Sequence, residues 1–436
     1  MVYPSNRRRG RRRTWLILAV LLLVLLAAAF AIMWRPALEP QAQPPGFDAA
    51  TVERGARIAL LGNCAACHTV DKARPLAGGL PVATPFGTLH STNITPDAKT
   101  GIGNWSEAAF TRALREGVAR DGHLLYPAFP YDHYTRMRQD DVHALYAYLM
   151  TRTPLDAPAK ANDLHFPFGF RPLVAFWNIL YLKRDPWQPD PRQGDEWNRG
   201  AYIADALAHC SACHSPRSKL GGEDRKRFLD GGEAEGWYVP ALNEKSPSPL
   251  PWSHEQLATY LRSGIAPDHA MAGGPMQEVV QSLGQADPAD VAALATWLHS
   301  YMAKGRHETS PAPRALQAGP LPPPPADASA QLRLGYAVYA NACARCHDMG
   351  RAPTSGAALQ LQKAVALYDP DPRSLLHIVR DGIHPPEGEP GRFMPAFADM
   401  LSDEQTLALA AYLRQVGAGQ APWDHLEESI RKVKQP

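Results

Sequence analysis

Near its start the chain has a long uninterrupted apolar segment, and no residue from Trp15 to Trp34 is charged. A helix of about 20 residues rises about 30 Å, enough to cross the hydrocarbon core of a bilayer. An arginine-rich stretch at 7–13 precedes it, and such basic flanks stay on the cytoplasmic side. The pattern predicts a cytoplasmic leader over 1–14 and a transmembrane anchor over 15–34, with the rest exported. A cleaved signal peptide is the alternative, because Ala29-Phe30-Ala31 resembles a small-x-small cleavage site.

A helical pattern of apolar positions, at i, i+3, i+4 and i+7, occurs three times in the exported part. The positions are Val142, Leu145, Tyr146 and Leu149, then Val291, Leu294, Ala295 and Leu298, then Thr406, Leu409, Ala410 and Leu413. Each set predicts a helix with one apolar face, which we name the closing helix. An aromatic residue that could pack on another helix lies beside each face, at Tyr148, Trp297 and Tyr412.

Two further helical segments recur ahead of each closing helix. The first, named the opening helix, contains a glycine that would permit a close helix crossing. These glycines are Gly55, Gly200 and Gly335. The second segment is amphipathic and ends at a glycine suited to a helix C-cap. These glycines are Gly117, Gly264 and Gly382. In the second copy Ser253 and Gln256 have the spacing of a capping box.

The recurring segments divide the exported chain into three units. Unit one is predicted over 47–153, unit two over 196–302 and unit three over 331–417. The remaining segments are a connector over 154–195, a proline-rich linker over 303–330 and a C-terminal tail over 418–436.

All six cysteines occur in three copies of a Cys-x-x-Cys-His motif, one in each unit. The copies are Cys64, Cys67 and His68, then Cys210, Cys213 and His214, then Cys343, Cys346 and His347. In this motif the two thiols add to the vinyl groups of haem, and the histidine binds the iron. A zinc site or a disulfide is the alternative, but structural zinc needs two such pairs or a pair with two spaced histidines. The motifs predict three covalently bound haem c groups in three tandem class I cytochrome c domains of mainly α fold.

A low-spin electron-transfer haem normally has a second axial ligand, commonly a methionine thioether. Met394 lies shortly before the closing helix of unit three, and Met276 holds the corresponding place in unit two. These two are the predicted ligands, with Met271 as the alternative to Met276. A methionine is also a common core filler, so the position before the closing helix is what supports the prediction.

Unit one departs from this pattern, because Phe129 stands where a methionine is expected. Phenylalanine cannot bind iron. Met137 follows on the same loop and is the predicted ligand, with His133 as the alternative. Bis-histidine and five-coordinate iron are further alternatives, and five-coordinate iron would be open to small ligands.

The formal net charge of +2 is misleading, because six of the 45 basic residues lie in the leader. The exported part carries 39 basic and 43 acidic residues, a net charge of −4. No nucleic-acid-binding surface is therefore expected. Neither a Gly-x-Gly-x-x-Gly loop nor a paired nucleophile and base marks a substrate site within the chain.

Several multi-residue segments resemble the three-haem cytochrome subunits of bacterial membrane-bound dehydrogenases, the type that serves alcohol, gluconate, aldehyde or nicotinate dehydrogenases. They are Ser91–Asp97 with Gly101–Gly103, Leu125–Tyr131, Trp197–Tyr202 and Gly273–Met276. The chain departs from the family at Phe129, where many members have methionine. Its strong N-terminal anchor is more like the cytochromes that are paired with molybdenum hydroxylases.

The resemblance implies an electron-transfer subunit without a substrate site of its own. A partner dehydrogenase, which could be a molybdenum hydroxylase, a quinoprotein or a flavoprotein, would oxidise the substrate and reduce the haems. The haems would then reduce ubiquinone or a terminal oxidase. The expected location is the cytoplasmic membrane, with the haem domains in the periplasm. The alternative function is a multi-haem peroxidase that uses an open first haem.

Overall fold

The computed structural model describes residues 7–41, 46–303, 320–348, 359–384 and 394–434, and helices form most of the regular structure. The start of the predicted leader and positions 304–319 of the predicted linker lie outside these ranges. The helices up to the connector are α1 (Arg7–Met33), α2 (Ala49–Leu61), α3 (Cys64–His68), α4 (Glu107–Glu116), α5 (Tyr131–Tyr134), α6 (Gln139–Met150) and α7 (Val174–Tyr181). Those of unit two are α8 (Asp195–Tyr202), α9 (Ser211–His214), α10 (His254–Ser263), α11 (Pro275–Gly284) and α12 (Pro288–Met302). Those from unit three onward are α13 (Ala330–Val338), α14 (Ala344–His347), α15 (Arg373–Asp381), α16 (Asp403–Tyr412) and α17 (Leu426–Val433).

The strands within the described residues are short and pair in an antiparallel manner. One sheet has the order β1 (Pro81–Thr84), β2 (Gly87–His90) and β3 (Asp163–Leu164), and two hairpins combine β4 (Gly232–Ala234) with β5 (Trp237–Val239) and β6 (Ile265–Ala266) with β7 (Ala270–Met271). Together with the helices they confirm the predicted mainly α fold.

In each unit the opening helix crosses the closing helix at the predicted glycine. A Cβ added at Gly55 would overlap the carbonyl oxygen of Ala144, and the two later glycines meet the equivalent carbonyls of Ala293 and Ala408. The three crossings are therefore α2 on α6, α8 on α12 and α13 on α16. The predicted aromatic residues pack at the same crossings, because the Cβ atoms of Tyr148, Trp297 and Tyr412 also lie against these glycines.

The ends of the helices also follow the local sequence. The Ser253 hydroxyl accepts from the Gln256 amide while the Gln256 side chain accepts from the Ser253 amide, so the predicted capping box is present. Ser402 and Gln405 form a second capping box at the start of α16. Gly117 and Gly264 end α4 and α10 in the left-handed conformation that favours glycine.

The predicted apolar faces of the closing helices are buried, and they belong to two separate cores. Units one and two share one continuous core, which includes Leu145 and Leu294, whereas the core of unit three contains Leu409. Across the boundary of units one and two, the Tyr202 hydroxyl donates to Asp141 Oδ2 at 2.5 Å. The Arg138 amide donates to the same hydroxyl at 3.0 Å.

Contacts of another kind join unit three to unit two. The ring of Trp237 stacks on His377 with 4.6 Å between the ring centroids. The Ser374 hydroxyl donates to the Tyr238 carbonyl at 2.7 Å, and Arg373 pairs with Glu233 at 2.8 Å. Unit three is thus attached to unit two through polar and stacking contacts between separately formed cores.

At the N-terminus, the segment Arg13–Met33 of α1 is long and apolar enough to cross a membrane, by length and composition. Its large apolar side chains are exposed, including Leu22 and Phe30. Such a helix fits either a membrane anchor or a signal sequence, the two alternatives left by the sequence.

Candidate haem-binding sites

Each Cys-x-x-Cys-His motif folds as a short helical turn that directly follows the opening helix. Helix α3 holds the first motif whole, whereas α9 and α14 begin one residue after the first cysteine of theirs. Residues three and four positions apart lie on one side of a helix. The turn therefore brings both thiols and the histidine of each motif to the same side, as attachment to one haem requires.

The three motif histidines make the same hydrogen bond. Nδ1 of His68 lies 2.6 Å from the Thr92 carbonyl, Nδ1 of His214 lies 2.8 Å from the Pro240 carbonyl, and Nδ1 of His347 lies 2.9 Å from the Leu359 carbonyl. A carbonyl can only accept, so Nδ1 carries the proton and donates it. The lone pair is then on Nε2, which is the nitrogen left to bind a metal.

Burial keeps these histidines neutral. It lowers the pKa of His214 to about 4, although the bond to the Pro240 carbonyl acts in the opposite direction. The pKa values of His68 and His347 are lowered as well, again chiefly by burial. A neutral imidazole with a fixed tautomer is the form that binds iron.

The first cysteines of the first two motifs are neutral thiols rather than reactive thiolates. Burial, with the neighbouring Cys67, raises the pKa of Cys64 to about 12, and burial raises that of Cys210 to about 12. None of the six cysteines, all of which lie in described ranges, forms a disulfide. Within the same ranges no three His, Cys, Asp or Glu side chains gather closely enough to hold a metal ion. The donor set fits haem attachment and does not form a cysteine-rich zinc site.

Backbone pairing aligns the loops that follow α4, α10 and α15. In these loops Val118 pairs with Leu124, Ile265 with Met271, and Ile383 with Met394. By this register Met271, the alternative candidate in unit two, is the counterpart of Met394. Phe129 follows Leu124 by the same number of residues as Met276 follows Met271. Phe129 is therefore the counterpart of Met276.

Side-chain packing instead groups Met276 with Met394. Met394 packs against the core of unit three together with Cys343, and Met276 packs against the shared core together with Cys210. Met271 lies in β7 and does not belong to that packed set within the described residues. A ligand must reach the iron with its side chain, so packing is the more relevant observation, and Met276 stays the predicted ligand of unit two.

In unit one, Met137 and His133 are both engaged elsewhere. Met137 is buried in the shared core and lies directly before Arg138, the N-cap residue of α6. Leu401 has the same place before Ser402, the N-cap residue of α16. This is a position where an apolar residue packs on its helix. Nδ1 of His133 lies 2.9 Å from the Asp205 carbonyl, and Nε2 lies 3.2 Å from Glu223 Oε2.

The pair of His133 and Glu223 is buried between units one and two. Burial acts to raise the pKa of Glu223, but the contacts with His133, Arg225 and Ser211 together outweigh it and hold this pKa below its ordinary value. To reach an iron, Met137 would have to leave the shared core, and His133 would have to leave the Asp205 carbonyl and the buried carboxylate of Glu223.

The sequence pattern does not predict the carbonyl partners of the histidines or the contacts of His133 and Tyr202 across units. The carbonyls come from backbone of any residue type, and so no sequence signal marks them. The cross-unit contacts depend on how two units pack, which local spacing does not specify.

Comparison with known proteins places these features in a family. The family model described as cytochrome c matches residues 52–153 and 198–301, and the model described as cytochrome c oxidase, cbb3-type, subunit III matches residues 330–413. The matches fall on all three units.

Whole-chain relatives give the same picture. The fructose dehydrogenase cytochrome subunit of Gluconobacter japonicus is 35% identical over 87% of this chain and 82% of its own length. The gluconate 2-dehydrogenase cytochrome c subunit of Pantoea cypripedii is 37% identical over 84% of this chain and 85% of its own length. A nicotinate dehydrogenase subunit of Pseudomonas putida is 44% identical over 93% of this chain, which spans only 34% of that longer protein. The chain therefore belongs to the family of cytochrome c subunits of bacterial membrane-bound dehydrogenases, and its domains bind haem c covalently.

Proposed function

We propose that the chain binds three haem c groups and relays electrons from a partner dehydrogenase to a quinone or a terminal oxidase of the respiratory chain. The observation that carries this proposal is the threefold repetition of one arrangement. In each unit the two thiols lie on the same helical turn as a histidine whose Nδ1 proton is held by a backbone carbonyl.

Haem supplies the one-electron chemistry, and the residues of the chain attach, orient and tune it. Cys64, Cys210 and Cys343, each with the second cysteine of its motif, would form the thioether bonds. His68, His214 and His347 would bind iron through Nε2, and Met276 and Met394 would supply a thioether ligand in units two and three. A thioether ligand raises the reduction potential of a haem.

The proposed partner is a catalytic dehydrogenase subunit, since the relatives are named as subunits of such enzymes. The strong N-terminal anchor favours a molybdenum hydroxylase over a quinoprotein or a flavoprotein, because it resembles that of the cytochromes paired with molybdenum hydroxylases. We place α1 across the cytoplasmic membrane and the units in the periplasm, since the arginines before α1 favour the cytoplasmic side.

The haem content is a direct test. The full chain, purified from a host that matures cytochromes c, is expected to give three haems per chain in an alkaline pyridine assay. Replacing His347 and both cysteines of its motif with alanine should lower the ratio to two. A ratio of two in the parent chain, or no covalent haem stain after denaturing electrophoresis, would contradict the proposal.

A second candidate function rests on unit one. Its counterparts of Met394 and Met276 are Leu124 and Phe129, neither of which binds iron, and His133 and Met137 have other partners. A five-coordinate first haem could bind peroxide or carbon monoxide. Carbon monoxide added to the reduced protein should then change the spectrum of one haem in three. An unchanged spectrum would exclude peroxidase activity and indicate a sixth ligand in unit one.

A further inference from the structure

The connector between units one and two leaves a large apolar surface uncovered. Leu173, directly before α7, and Phe176 and Leu180 within it are exposed at the spacing of one helical face, with Ile179 beside them. Phe166 and Phe170, which precede the helix, are 96% and 58% exposed. We name these six residues the connector patch. Exposed large apolar side chains that are concentrated in one short segment often mark an interaction site.

The helix that carries the connector patch is held firmly on its other side. The Tyr131 hydroxyl donates to Asn178 Oδ1 at 2.6 Å, which joins α7 to unit one. The Trp177 indole donates to the Leu220 carbonyl at 3.0 Å, which joins it to unit two. The patch is therefore a fixed surface that both units support.

The connector patch adjoins the end of the apolar N-terminal helix. Ile32 and Met33, the last residues of α1, pack against the small buried cluster that contains Val174 and Ala175 of α7. The Arg35 guanidinium donates to the Ile32 carbonyl at 2.7 Å and so caps that helix end.

The chain that leaves α1 is bound to unit one. The Leu38 amide donates to the Arg120 carbonyl at 2.7 Å, and the Arg112 guanidinium donates to the Pro36 carbonyl at 2.7 Å. The exit point of α1 thus has a fixed position at the start of α7, beside the connector patch.

We propose that the connector patch lies in the outer leaflet of the bilayer that α1 crosses, so that units one and two contact the membrane directly. This inference rests on the anchor under "Proposed function". Trp34, 57% exposed at the end of α1, and the phenylalanines of the patch are typical of the lipid–water interface. Apolar faces of interfacial helices enter it by about 5–10 Å. The double attachment fixes how units one and two are oriented on the membrane.

Bimane attached to single added cysteines in the full-length protein tests this directly, because the native cysteines are used by haem. The labels are placed at Ile179→Cys in the patch, Leu22→Cys in α1 and Thr259→Cys on the exposed side of α10. The protein is reconstituted in phosphatidylcholine nanodiscs with and without doxyl-labelled lipid. We expect at least a twofold loss of fluorescence from doxyl lipid at positions 22 and 179 and no change at position 259.

The contrary outcomes separate a failure of the membrane contact at the patch from a failure of the anchor. Quenching at position 22 without quenching at position 179 would overturn the inference and leave the anchor intact. No quenching at position 22 would overturn the proposed anchor itself. If position 179 is shielded from both doxyl lipid and aqueous iodide, a protein surface covers the patch, which in this reconstitution is a second copy of the chain. That result would also overturn the inference.

Discussion

At the scale of single residues, a histidine that binds iron must present one ring nitrogen without its proton. The three motif histidines meet this condition through carbonyls that follow them by 24, 26 and 12 residues. The motif could be predicted from the sequence because haem attachment requires those side chains at that spacing. The carbonyl partners could not be predicted, because the conformation of the following loop determines which backbone carbonyl reaches the histidine.

Replacing Met394 with leucine should lower the potential of the third haem, because the thioether that favours the reduced state is lost. The near-infrared sulfur-to-iron absorption band of that haem should weaken as well. A spectroelectrochemical titration measures both changes. Met400→Leu is the matched control, since Met400 is 60% exposed and lies on the same loop. Equal titrations of the two variants would show that Met394 is not the ligand.

The choice between Met276 and Met271 is decided by the same measurement. Because Met276 packs against the shared core and Met271 does not belong to that set, we expect that Met276→Leu lowers the potential of the second haem and that Met271→Leu leaves it unchanged. The reverse result would mean that the backbone register, which aligns Met271 with Met394, identifies the ligand instead.

Asp369 gives unit three a distinct dependence on pH. Burial, with the nearby Asp371, raises its pKa well above the ordinary value despite the opposing Arg414, and its Oδ1 lacks a hydrogen-bond partner among the described residues. The folded state holds the proton more tightly than the unfolded chain, whose carboxyl has a pKa of about 3.9. The stability of unit three should therefore fall as pH rises from about 4 toward the higher folded pKa.

Asp369→Asn removes this dependence because an amide does not titrate. The variant should be more stable than the parent by about 1–3 kcal/mol at pH 8, the usual cost of a buried group without a partner, and should gain little at pH 4. Urea unfolding of unit three at both pH values measures the difference. The exposed Asp399→Asn is the control, and an equal gain at both pH values would contradict the assignment.

At the scale of elements, the glycine crossings make the helix pairs intolerant of any side chain. Gly200→Ala should cost at least about 2 kcal/mol, because the new Cβ overlaps the Ala293 carbonyl and the backbone must move. Gly194→Ala lies at the start of the same helix with no atom nearby, so its cost should stay below about 1 kcal/mol. Urea unfolding compares the two, and similar values would show that the crossing is loose.

The crossings were predictable because a glycine at the same place in three copies indicates that the backbone of another helix approaches closely there. The π-helical turns Ile203–Leu207 and Tyr339–Cys343, which lead into the second and third motifs, were not predicted. Each inserts an extra residue into the turn, a change that depends on the surrounding packing rather than on side-chain periodicity.

At the scale of the whole molecule, the two cores predict two unfolding transitions. Tyr202→Phe removes the hydroxyl shared by Asp141 and Arg138, and should lower the stability of units one and two by about 1–3 kcal/mol. The transition of unit three should not move. Trp423→Phe is the converse control, because its indole bonds to the Asp369 carbonyl inside unit three. A shift of both transitions by either variant would mean that the three units unfold together.

The core that units one and two share also bears on how the protein matures in the cell. A c-type domain depends on its haem for much of its interior, so an apo unit one would expose apolar surface that unit two needs as well. Attachment of the first haem and attachment of the second should therefore depend on each other. A chain that lacks either haem should be degraded and should not accumulate with only the other haem attached. Unit three has a separate core, so its haem can be attached independently of the other two.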